Sequence, residues 1–181
     1  DVYKRQLLDS FGWSTSFYVM VPIALVGAAA ALCNKDLKKR RIVKMKDIIT
    51  IAAVNFDPVW GDSEDNLKRM LEHIEAQAKQ GCDLIVFPET ALTGYDDETG
   101  KLLEEKMHRR LAQTVPGPST DAVCELTKKY GIYVVYGLAE RDAQDTSKVY
   151  NAAAVCGPDG VIGCCRKIHL PFAEQNWAVR G

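Results

Sequence analysis

The sequence predicts an α/β fold, and three features carry that expectation. Two short β-rich apolar runs, Ile48 to Phe56 (IITIAAVNF) and Leu84 to Phe87 (LIVF), flank one amphipathic helical stretch. A second helical stretch near Asp121 to Tyr130 leads directly into a third apolar run, Ile132 to Leu138. Two more β-rich runs then flank the turn Gly157-Pro158-Asp159-Gly160. Strands and amphipathic helices alternating at this spacing make a sheet covered by helices. Ahead of that domain, at 45–181, a single transmembrane helix is expected within residues 1–44.

Taken in order, Phe17 to Cys33 (FYVMVPIALVGAAAALC) is a charge-free run of 17 residues, at the short limit for a bilayer span. Trp13 and Tyr18 stand at one end of it, and Lys35, Lys38, Lys39, Arg40 and Arg41 at the other. That is an interfacial aromatic and a positive-inside flank, which puts Met45 onward in the cytoplasm. A buried soluble helix is the alternative reading. A basic segment after the apolar run opposes a signal peptide. The segment resembles the last transmembrane helix and cytoplasmic tail of a major-facilitator transporter, and residues 1–16, which open with DVYKRQ, read as foreign sequence.

From Met45 the pattern changes. Ile48 to Phe56 reads as a strand buried on both faces. Asp62 or Ser63 caps a helix with Glu64 and Asp65 in its first turn. Leu67, Met70, Leu71, Ile74 and Ala78 share its inner face, and Gly81 stops it. Leu84 to Phe87 follows as a strand parallel to the first, since a βαβ crossover demands it. Val123, Leu126 and Tyr130 face inward from the next helix, before the strand Ile132 to Leu138. Val149 to Cys156 and Val161 to Arg166 form a hairpin around a turn whose Pro158, Asp159 and Gly160 favour it by backbone geometry.

Composition narrows the function. With 47% hydrophobic and 26% charged residues the chain is ordinary for a globular protein, and a net charge of -1 argues against a nucleic-acid partner. Six cysteines, at 33, 82, 124, 156, 164 and 165, contain no C-x-x-C pair and no histidine at ligand spacing. Neither a zinc site nor a disulfide framework is signalled, and reduced thiols are expected.

Three places invite chemistry. Glu89, in FPETALTGY, follows a strand expected to be parallel and buried, the edge where ligand sites gather. An apolar surround there would suit a general base that later acts as an acid, while Gly94 permits close backbone approach. The alternative is a solvated turn residue. Lys167, after VIGCCR, is either a strand-end surface charge or an ammonium aimed at a developing oxyanion. Cys164 and Cys165 precede the basic pair Arg166-Lys167, a setting that lowers a thiol pKa.

Read together, FPETALTGY and RKIHLPFAEQNW, preceded by IAAVNFDPVWGDSEDNL and joined by VYNAAAVCGPDGVIG, resemble the nitrilase superfamily, the carbon-nitrogen hydrolases. The resemblance covers Met45 to Gly181. It implies an αββα sandwich, incomplete here, and hydrolysis of a non-peptide carbon-nitrogen bond in an amide, carbamoyl amine or nitrile by a Glu-Lys-Cys set. Glu89 matches the general base, Lys167 the oxyanion-stabilising lysine, and Glu174 a second glutamate that positions groups around the nucleophile. Cys165 takes the place of a structural tyrosine, and alternation sends Cys164 to the other face. The nucleophilic cysteine is expected beyond Gly181, so the 181 residues alone are expected to be inactive. No metal or organic cofactor is implied. The expected partners are a small-molecule substrate and further copies of the complete protein. An apolipoprotein N-acyltransferase-like membrane enzyme and a non-catalytic membrane-anchored module are the alternatives.

Overall fold

In the computed structural model, which describes residues 48–95 and 100–181, five strands form one mixed sheet. The expected transmembrane helix at 17–33, its basic tail and the boundary at residue 44 lie outside the described residues. Among the described residues, no helix is long and apolar enough to cross a membrane.

The sheet runs in chain order: β1 (Ile51–Ala53), β2 (Leu84–Val86), β3 (Tyr133–Arg141), β4 (Val149–Gly157) and β5 (Gly160–Arg166). The first three strands pair in parallel, as the crossovers require, and the last two close an antiparallel meander. Helix α1 (Ser63–Lys79) makes the first crossover and α3 (Pro118–Tyr130) the second, with the short α2 (Met107–Leu111) between them. Asp62 caps α1 by accepting the Asp65 N–H at 3.0 Å, and Gly81 leaves the helix at φ +87. At the start of α3, Gly117 stands at the cap and Pro118 in the first turn, where its missing N–H costs nothing.

Met70 and Ile74 of α1 and Val123 of α3 share one core with Ile85, Val134, Tyr136, Leu138, Ala152, Ala154 and Cys156 of the strands. Each fully buried Ile or Met is worth about 2 kcal/mol. Both helices therefore cover the same sheet face. On the opposite face Ala139 and Val149 pack with Leu170, Trp177 and Ala178, which fastens the chain after β5 to the sheet. Of the four layers that the resemblance implies, the described residues build one sheet and one helical layer.

Two expectations are corrected. The first strand is three residues long rather than nine, and it is not buried on both faces: Ile51 is 46% exposed and Ile48 79%. It lies at the sheet edge, with a neighbour on one side only, so few side chains are available to cover it. In turn, β3 continues to Arg141, beyond the expected end at Leu138. Glu140 can lie buried at the end of that strand because Arg166 pairs with both its oxygens.

Candidate active site

The site is built where β2 leaves the sheet. Phe87 extends the parallel ladder by donating its N–H to Val135 O at 2.8 Å, and the chain then turns sharply through Pro88, Glu89 and Thr90. Thr90 adopts φ +49, a left-handed conformation that is unfavourable for a β-branched residue and is held here by burial and by the Thr93 and Gly94 N–H groups on its carbonyl. Gly137 of β3 lies beneath this elbow. A Cβ there would stand 2.4 Å from Thr90 N and 2.7 Å from Glu89 Cα, so only glycine lets the strand approach.

Lys167 enters from the other side of the sheet's end. Its backbone N–H continues the β5 ladder to Asn151 O at 2.8 Å, and alternation puts its side chain on the face opposite α1 and α3. The ammonium donates to Glu89 Oε1 at 2.8 Å and to Glu174 Oε1 at 2.6 Å. Glu174 begins the 3₁₀ turn Glu174–Asn176, and Trp177, stacked on the His108 ring at 4.1 Å, seats that turn against the sheet. Thus three residues named from sequence, drawn from separations of 78 and 7 positions, meet at one cation.

The two carboxylates are not equivalent. Glu174 is buried with a side-chain exposure of 2% and has both oxygens engaged, Oε1 by Lys167 and Oε2 by the Asn151 amide at 3.0 Å. Glu89 is 33% exposed in its side chain, and its contacts with Lys167 and Asn151 both fall on Oε1. The expectation of an apolar surround for Glu89 is therefore corrected, since an ammonium and an amide face it. Burial alone would lower the Lys167 pKa, but the charge of Glu89 and hydrogen bonds to both glutamates overcome it and hold the ammonium above its usual range.

The cysteines before Lys167 stand as alternation required. Cys164 packs on the helix-facing core, and its Sγ lies 3.4 Å from Glu140 Oε2. Burial, and then the Glu140 carboxylate, push that thiol up rather than down, which removes the activating effect expected of the basic pair. Cys165 is exposed. Sequence reasoning did not single out Asn151, whose amide donates to Glu89 Oε1 at 2.6 Å as well as to Glu174. The available signal was an amide inside the otherwise apolar strand run VYNAAAVC.

A partly exposed carboxylate at an elbow after a parallel strand is thus joined through one lysine to a buried glutamate at the end of an α/β sheet. Residues 50–180 match the family model of carbon-nitrogen hydrolases, and the chain belongs to that family. It is 35% identical over 129 residues to a nitrilase from Pyrococcus abyssi, a match covering 71% of this chain and 46% of that protein. To an omega-amidase from Danio rerio it is 37% identical over 107 residues, covering 59% of this chain and 35% of the relative. Among solved structures, an N-terminal amidase crystallised with an Asn-Glu peptide superposes with a TM-score of 0.59 at 27% identity, covering 71% of this chain and 30% of that one. The chain spans less than half the length of these relatives.

Proposed function

We propose that the chain supplies the base and the oxyanion-binding lysine of an enzyme that hydrolyses a non-peptide carbon-nitrogen bond, with a cysteine beyond Gly181 as nucleophile. The observation that carries this reading is the Lys167 ammonium held between Glu89 and Glu174 in a carbon-nitrogen hydrolase domain. Glu89 is assigned the proton transfers because it is the more exposed carboxylate, its side chain 33% exposed against 2% for Glu174. Glu174 orients Lys167.

For an amide, Glu89 takes the thiol proton as the sulfur bonds to the carbonyl carbon, and the π electrons move onto oxygen. The Lys167 ammonium stabilises that oxyanion, compact and already in place. The oxyanion collapses, the carbon-nitrogen bond breaks, and Glu89 returns its proton to the departing nitrogen. Water then adds to the thioester with Glu89 again as base, and a second collapse releases the carboxylic acid and the thiol. Amides are the first class to assay, because omega-amidase and N-terminal amidase stand among the relatives beside nitrilase.

The test uses the full-length protein that carries this chain. Ammonia or amine release is measured across amides, carbamoyl amines and nitriles, and a substrate-like electrophile is mapped by mass spectrometry. Release from at least one class, with the label on a cysteine outside residues 1–181, is expected. A label on Cys164 or Cys165 whose mutation stops turnover refutes the nucleophile assignment. Absence of release from all three classes refutes the function.

A further inference from the structure

We infer that Asn151 is a positioning residue of this site, a neutral two-armed donor that holds Glu89 and Glu174 at the spacing Lys167 needs. The inference rests on the hydrolase reading above and goes beyond it, because no role for Asn151 follows from the resemblance.

Asn151 lies inside β4 at 3% exposure, where an amide without partners would be costly. Its neighbours Tyr150 and Ala152 face the helical core, so alternation turns Asn151 to the opposite face with Lys167. There Nδ2 donates to Glu89 Oε1 at 2.6 Å and to Glu174 Oε2 at 3.0 Å. An amide nitrogen has two hydrogens, so one serves each carboxylate. The amide must face this way, because its carbonyl oxygen would meet two acceptors. The same residue's backbone carbonyl accepts the Lys167 N–H at 2.8 Å. One residue thus touches all three members of the site.

The chemical need is plain. Two carboxylates flank one ammonium, and a second cation between them would compete with Lys167 for the oxyanion. A neutral donor keeps the glutamates together without adding charge. Leucine keeps the approximate volume and loses both N–H groups, while aspartate keeps the shape and adds a third carboxylate.

In the full-length protein, Asn151→Leu and Asn151→Asp are each expected to lower kcat at least tenfold while KM stays within about threefold, since the loss falls on the chemical step. A merely structural role would lower the thermal midpoint and leave kcat per folded molecule unchanged. Turnover lost in Glu89→Gln but kept in both Asn151 variants overturns the inference alone. Turnover kept in Glu89→Gln overturns the assignment of Glu89 as base and this inference with it, whereas absence of release in the unaltered protein overturns the hydrolase reading. Should neither Asn151 variant fold, hydrogen exchange of the Asn151 side-chain amide decides. Slow exchange that becomes fast in Glu174→Ala supports the bridge, and exchange at the rate of a free amide in the unaltered protein overturns it.

Discussion

Arg166 and Lys167 are adjacent, both cationic and both paired with carboxylates, yet strand alternation sends them to opposite faces of the sheet and into different kinds of cluster. Arg166 grips Glu140 with two bonds, Nε to Oε2 at 2.8 Å and Nη2 to Oε1 at 2.7 Å, and reaches Asp142 at 3.1 Å. Its guanidinium lies 3.8 Å from the centre of the Tyr150 ring. A planar fork paired in this way ties β5 to the end of β3. Lys167 instead presents a compact ammonium to two carboxylates on different segments, one buried and one a third exposed. The first cluster clamps one strand to another, and the second gathers the residues proposed above for proton transfer. Access of the cation does not separate them, because Arg166 is 34% exposed and Lys167 27%; partner geometry does.

That comparison breaks most readily at Lys167 and Glu89. In the full-length protein, Lys167→Met is expected to lower kcat by roughly a hundredfold or more, about 3 kcal/mol of transition-state stabilisation. Glu89→Gln is expected to lower it by at least ~10². Lys167→Arg should not rescue, because a fork cannot replace a point charge between these two glutamates. Steady-state kinetics with a folded-state check by circular dichroism decides it, and wild-type turnover in either variant would dissolve the distinction between the clusters.

Arg166→Met tests the clamp. It strands the 4%-exposed Glu140 without its cation, which costs about 2 kcal/mol of stability, below the range for fully buried pairs because the arginine is itself 34% exposed. Urea denaturation should show the loss. A large fall in kcat at unchanged stability would mean that the clamp is chemical after all.

Next in size come the cysteines between the two faces. Cys164→Ala removes a half-buried thiol packed against the helix-side core and should cost ~1 kcal/mol, while Cys165→Ser, on an exposed side chain, should cost less. Turnover per folded molecule should survive in both. Its abolition by either single change would move the nucleophile into this chain.

The smallest effect is a pH slope. The folded pKa of Lys167 is raised, so its stabilising contribution is fully present below its ordinary value of 10.5 and is lost as pH rises through the higher folded value. Between those two values the wild type should lose more stability than Lys167→Met, measured by the urea midpoint. Parallel curves would show that Lys167 gains nothing from its glutamates.

How much of this was legible from sequence follows the range of the forces involved. The helix over 63–79 was marked by Asp62, an acidic first turn, an apolar stripe and Gly81, all acting within a few residues of one another. The hairpin about Pro158-Asp159 was local in the same way. Its opposite-face reading of Cys164 and Cys165 needed only the two-residue period of a strand. Glu89, Lys167 and Glu174 were found by motif resemblance, since spacing alone left each of the first two open to a solvated reading. What the tertiary structure alone decided lies at long separation. That β1 sits at an exposed edge depends on which strands assemble beside it. Gly137 matters because β3 passes under the Glu89 elbow, 47 or more residues away in the chain, and no local pattern announces such an approach. Asn151 is an ordinary polar interruption in an apolar strand until the carboxylates at 89 and 174 are folded onto its two hydrogens. Short-range propensity, capping and side-chain period are written residue by residue, whereas long-range desolvation and hydrogen bonding arise only between segments that the fold has brought together.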